Sequence, residues 1–103
     1  FVDGGIRRGA DIFKAVALGA AAVGVGRPVL YSLACYGDKG VVRMVHMLQD
    51  ELQMVMRLSG TPTVASITEN HVITKNLSDH IVPLPTDNLT MGTYMPLQPA
   101  ARL

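Results

Sequence analysis

The spacing of apolar and polar positions changes several times along the chain, and each change marks an element. Phe1-Val2 is an apolar stub leaving through Asp3-Gly4-Gly5, the pattern of a strand end running into a turn. A helix follows, started by Gly9 or by Asp11 as a capping residue. Within it Ile12 and Val16, then Phe13 and Ala17, recur at i,i+4 while Lys14 falls outside the stripe, so one narrow apolar face packs inward. Gly19 is placed to end it. From Ala20 to Gly26 the residues are small and apolar with no alternation, as in a strand buried on both faces of a parallel sheet. Strand, helix and strand in so short a span predict a βα unit feeding a parallel neighbour.

Beyond Pro28, residues 29–36 predict a short helix ended by Gly37. A longer helix is expected from about Lys39 to Ser59. Val41, Val45, Leu48, Leu52 and Val55 keep the helical period, Met44 and Met56 widen the stripe, and Arg43, Gln49, Asp50, Gln53 and Arg57 face away. Gly60 and Pro62 terminate it. Thr63 to Thr68 predicts one more short turn. Periodicity then fades: residues 68–103 contain Pro83, Pro85, Pro96 and Pro99 and read as an irregular tail, an extended arm lying on another surface of this chain or of a neighbouring subunit.

Composition narrows the function classes. The 103 residues suffice for one small domain. Hydrophobic residues make up 49% and charged ones 17%, the content of a chain with a buried core. A formal net charge of +1 lacks the basic footprint of a nucleic-acid binder. The apolar uncharged run Ala15 to Gly26 is shorter than the roughly 18–20 residues of a membrane-spanning helix. The single cysteine, Cys35, excludes an internal disulfide framework and reads as a small buried hydrophobe. Phe1 already lies in an apolar run, so the chain is expected to be the tail end of something longer.

The candidate chemistry lies in two turns of the same composition, Gly4-Gly5-Ile6-Arg7 and Gly24-Val25-Gly26-Arg27. Small residues let an oxyanion approach backbone N–H groups, and a guanidinium grips phosphate bidentately. Two such turns brought together by a strand–helix–strand unit make a phosphate clamp. In (β/α)8 barrels that site is built by the loops after strands seven and eight with the N-terminus of a short extra helix, the role here of residues 28–36. Asp3, at a strand's C-terminal end, suits a sugar or ribityl hydroxyl. Arg8 reads equally well as a solvated charge. GVGRPV lacks the third glycine and the downstream acid of a dinucleotide fingerprint. His46 lies beside the apolar stripe, His71 and His80 have no carboxylate at metal-ligand spacing, and Tyr31 and Tyr36 read as packing groups. Asp50-Glu51 resembles an acid pair, but neighbouring side chains on a helix diverge.

The same residues carry a family resemblance. The stretch DGGIRRGADIFKAVALGAAAVGVGRPVLYSLACYGDKGV, followed by LQDELQMVMRLSG, resembles the C-terminal end of the FMN-dependent α-hydroxy acid oxidases and dehydrogenases. That group includes glycolate oxidase, L-lactate oxidase and the flavin domain of flavocytochrome b2. The likeness runs from Phe1 to about Ile67, which sets a domain portion at 1–67 and the tail at 68–103. It implies an α/β fold, the last two βα units of a (β/α)8 TIM barrel followed by the C-terminal arm, and FMN as cofactor. Asp3, Gly4, Gly5, Ile6 and Arg7 then meet the flavin ribityl and phosphate, while Gly26 and Arg27 grip the phosphate. Ala10 stands where members often have Thr or Ser.

One departure limits the chain. The family's catalytic base and substrate-carboxylate arginine lie in a Ser-x-His-Gly-Gly-Arg stretch, and none of the three histidines here precedes Gly-Gly. No catalytic residue is therefore assigned. The resemblance implies oxidation of a small-molecule 2-hydroxy acid of glycolate or lactate type to the 2-oxo acid. A base takes a proton, a hydride equivalent passes to FMN, and oxygen or a cytochrome accepts the electrons. It also implies a homo-oligomer, a tetramer, with neither nucleic acid nor a membrane span. The ending Ala101-Arg102-Leu103 is a variant of the Ser-Lys-Leu peroxisomal address, with a mitochondrial or cytoplasmic setting as alternatives. The competing readings are a phosphate-binding barrel of the inosine monophosphate dehydrogenase type and a non-catalytic interaction fragment.

Overall fold

A computed structural model of the chain describes residues 1–81. One unit runs from Phe1 to Ile73, and a second begins at Thr74. Two helices dominate the first: α1 (Gly9–Ala17) and α2 (Arg27–Leu58). Short 3₁₀ turns follow at Val64–Ser66 and Glu69–His71.

The expected strands are reduced to one parallel bridge, Val2 with Val23. The Val2 N–H donates to Ala22 O at 3.1 Å, and the Gly24 N–H donates to Val2 O at 2.8 Å. The parallel sense is as expected, but no ladder extends over Ala20–Gly26. A strand is held by neighbours on both sides, and within the described residues this pair has only itself.

Local signals explain both helices. The residue before α1 is Arg8, not Gly9 or Asp11; Asp11 is the third helical residue and its carboxylate reaches back instead. At the other end Gly19 takes a positive φ of 96°, with Gly19 N–H on Val16 O and Ala20 N–H on Ala15 O, a complete Schellman termination. Gly60 ends α2 in the same way, with its own N–H on Arg57 O and the Thr61 N–H on Met56 O. The Thr61 side chain also donates to Met56 O, which satisfies a threonine that is 3% exposed.

Gly37 divides α2 into two helical arms and ends the first of them, as the sequence predicts. Its φ of 62° and ψ of −147° form an elbow between residues 27–36 and 38–58. Gly40 completes the elbow, since a Cβ there would overlap the Ser32 carbonyl oxygen and stand 3.0 Å from the Tyr36 Cβ.

The core sits where α1 crosses the later half of α2. Phe13, Ala17 and Ile67 are buried, with Val16, Leu52, Val55, Met56 and Val72 packed around them. The i,i+4 pairs of α1 therefore face inward as their spacing predicts. The His71 ring stands edge-on to Phe13, centroids 6.0 Å apart at 88°, while its Nδ1 accepts the Thr68 N–H at 3.1 Å. Towards the elbow the stripe is only half covered: Val41, Met44, Val45 and Leu48 line a cleft with Ile12, Val25 and Val29.

Cys35 is exposed, contrary to its reading as a buried hydrophobe. It shares the uncovered first arm of α2 with Leu33 and Tyr36, and Tyr36, expected to pack, is exposed as well. Part of the expected irregular tail is ordered in short turns, at Glu69–His71 in the first unit and at Leu77–His80 in the second. The rest of the arm and Ala101-Arg102-Leu103 lie outside the described residues.

Candidate phosphate-binding site

Because the Val2–Val23 pairing is parallel, both segments leave it at the same end and both glycine–arginine turns open there. A cavity of about 750 Å³ lies between them. Asp3, Gly4, Gly5, Ile6 and Arg7 line one side, and Gly24, Val25, Gly26, Arg27, Pro28 and Tyr31 the other. All seven residues singled out from the sequence thus border one space. Gly24 and Val25 of the second candidate turn and Pro28 of the helix expected after it line the same space, and Tyr31, read from the sequence as a packing group, is the lining residue that was missed. Tyr31 is one helical turn after Arg27, so i,i+4 spacing could have placed it on the same face. It is 67% exposed and borders the cavity instead of packing.

Backbone conformation prepares the first turn. Gly4 and Gly5 have φ of 81° and 75°, in the left-handed region that side chains strain to enter. A Cβ at either would meet nothing within 4 Å, so the requirement for glycine is conformational and the space in front is open. Gly24 is needed for a different reason: a Cβ there would stand 3.1 Å from the Cβ of Asp3, where the two turns approach.

The second turn runs directly into α2. Gly26 is its capping residue, Arg27 its first residue, and Pro28 occupies the first turn, where a missing N–H costs nothing. The cavity therefore faces the positive end of a helix. Among the described residues, the N–H groups of Gly4, Gly5, Val25 and Gly26 donate no hydrogen bond. Open N–H groups, two guanidinium-bearing residues and a helix N-terminus make a donor set for a phosphate monoester. Asp3 is the cavity's one carboxylate and suits a hydroxyl.

Asp11 and Glu51 steady the first turn from outside the cavity. Asp11 Oδ2 accepts the N–H groups of Arg7 (3.0 Å) and Arg8 (2.9 Å). The Arg7 N–H holds the Asp11 carboxyl below its ordinary range; burial opposes, and the Arg8 N–H and the charges of Lys14 and Arg7 assist. Glu51 Oε2 accepts the Gly9 N–H at 2.8 Å, and its Oε1 pairs with Arg8 Nη1 at 3.3 Å. Arg8 is thus not a cavity residue but a solvated surface charge, its side chain 76% exposed while paired with Glu51. No sequence signal pointed to Glu51, because its partners are more than 40 residues away.

The family model described as FMN-dependent dehydrogenase matches residues 1–74. The chain belongs to that family. Among its relatives, glycolate oxidase 3 of Oryza sativa subsp. indica is 60% identical over 74 residues, 72% of this chain and 20% of the relative. The peroxisomal (S)-2-hydroxyacid oxidase GLO3 of Arabidopsis thaliana is 55% identical over 75 residues, 73% of this chain and 21% of the relative. The L-lactate dehydrogenase (cytochrome) of Wickerhamomyces anomalus is 45% identical over 94 residues, 91% of this chain and 16% of the relative. The chain thus spans about a fifth of the length of these family members. Among the described residues, no helix is long and apolar enough to cross a membrane.

Proposed function

We propose that this chain forms the FMN-phosphate end of an oxidoreductase that converts a 2-hydroxy acid of glycolate or lactate type to the 2-oxo acid. The observation that carries the reading is the single cavity bordered by both glycine–arginine turns at the start of α2. Arg7 and Arg27 neutralise the phosphate from opposite sides, and the N–H groups of Gly4, Gly5 and Gly26 receive its oxygens. Asp3 accepts from a ribityl hydroxyl, and Ile6, which is buried, anchors the turn. When bound, FMN supplies the redox chemistry; this chain's residues bind and orient it.

Proton abstraction belongs to residues outside this chain. His46, His71 and His80 do not border the cavity. The substrate is a small hydroxy acid, and the acceptor is oxygen or a cytochrome, in line with an oxidase and a cytochrome-linked dehydrogenase among the relatives. A peroxisomal setting draws support from the name of the Arabidopsis relative. A homotetramer follows from the family resemblance alone.

The test is flavin titration of the full chain, following flavin fluorescence with FMN and with riboflavin, which lacks the phosphate. Arg7→Ala and Arg27→Ala should each weaken FMN binding about 10- to 100-fold, the size of a lost charge-assisted hydrogen bond, and leave riboflavin binding unchanged. Equal affinity of the unaltered chain for the two flavins would refute the proposal.

A further inference from the structure

Three successive backbone N–H groups at the entry to α1, those of Arg7, Arg8 and Gly9, all end on carboxylates. Two go to Asp11 Oδ2 and the third to Glu51 Oε2. The other Glu51 oxygen takes the Arg8 guanidinium. Of two adjacent arginines, one is tied down outside the cavity while the other borders it. Among the described residues, Arg7 has no ion-pair partner of its own.

Glu51 also sits on α2, the helix whose first residues form the second turn. It reaches the start of α1 because Gly9 has no side chain: a Cβ there would overlap the Leu52 backbone nitrogen and stand 2.6 Å from the Glu51 Cβ. The helices carrying the two turns are thus joined two residues beyond Arg7.

We propose that Glu51 and Asp11 are positioning residues of the clamp, holding the backbone of Arg7 to Gly9 so that the Arg7 guanidinium faces the ligand phosphate. The inference rests on the reading of the cavity as a flavin-phosphate site. Neither carboxylate borders the cavity: Asp11 acts on Arg7 directly through its N–H, and Glu51 acts through Gly9, two residues further on.

The ratio of FMN to riboflavin affinity, measured on the full chain by flavin fluorescence, isolates the phosphate contribution. Glu51→Ala and Asp11→Ala should each lower that ratio roughly tenfold, the size typical of outer partners that orient a ligand-holding group. Glu51→Gln and Asp11→Asn keep an acceptor oxygen and should recover part of it. In an Arg7→Ala background, Glu51→Ala should lower the ratio no further, because the group it positions is gone.

An unchanged ratio in Glu51→Ala, or a full additional loss in the double variant, overturns the proposal. If Glu51→Ala loses its helical circular dichroism, Glu51→Gln decides by the same ratio: a partial fall supports positioning, and an unchanged ratio overturns it. A neutral Arg7→Ala substitution would instead remove the clamp reading itself, whereas a damaging Arg7→Ala with a neutral Glu51→Ala removes only the positioning role.

Discussion

Replacing Gly9 with alanine sets local preference directly against tertiary contact. Alanine is the better helix former by about 1 kcal/mol, so a helix considered alone would be stabilised. The crossing of α1 and α2 says the opposite. The new Cβ would overlap the Leu52 backbone nitrogen and lie 2.6 Å from both the Glu51 carbonyl carbon and the Glu51 Cβ, where ordinary contact begins at 3.4 Å. Two of those three atoms are backbone and cannot rotate aside, so the helices must separate by close to an ångström. Overpacking of this kind costs about 1–3 kcal/mol. Separation also stretches the 2.8 Å bond from the Gly9 N–H to Glu51, a charge-assisted contact of about 1.5–3 kcal/mol. With the propensity gain set against these, Gly9→Ala should destabilise by about 2–4 kcal/mol. The assay is urea unfolding of the full chain followed by circular dichroism at 222 nm. Gly60→Ala serves as the comparison: its φ is 69° and nothing lies within 4 Å of a Cβ, so only the left-handed penalty of about 1–2 kcal/mol applies. A Gly9→Ala midpoint at or above that of the unaltered chain would refute the reasoning.

Two further predictions follow from the packing and the charges. Phe13 is 3% exposed at the centre of the core, so Phe13→Ala should cost about 3–5 kcal/mol in the same unfolding assay. Phe13→Leu should keep more of that stability yet shift the His71 ring protons by removing the edge-on aromatic partner; unmoved resonances would contradict the packing. Asp11 has a lowered folded-state pKa, so its contribution is present above the unfolded value of about 3.9 and is lost as pH falls through the folded one. Asp11→Asn should therefore flatten the acid limb of a stability–pH profile below about pH 4, and an identical acid limb in both proteins would count against the assignment.

The two glycine–arginine turns, their surrounding elements and the flavin family were legible in the residues themselves. Gly19 and Gly60 end their helices where the spacing places them, and the i,i+4 pairs of α1 pack as their period requires. These features are local: a positive φ, a helical period and a terminating glycine depend on a few neighbouring residues. The strands were read too generously. Ala20–Gly26 has the composition of a buried strand, but a ladder depends on partners, and here one bridge forms.

The sequence by itself determined the composition of the two glycine–arginine turns, the order of the elements around them and the family, because short motifs and residue chemistry survive without coordinates. Tertiary structure decided the rest. It brought both turns to one cavity, put Tyr31 on its rim, left Cys35 exposed, and divided the adjacent arginines between a strut to Glu51 and the cavity wall. Those outcomes turn on contacts between residues some 20 to more than 40 positions apart, set by a parallel bridge and by a helix crossing that only a glycine admits. A periodic pattern reports which face of a helix is apolar; only packing decides what that face meets.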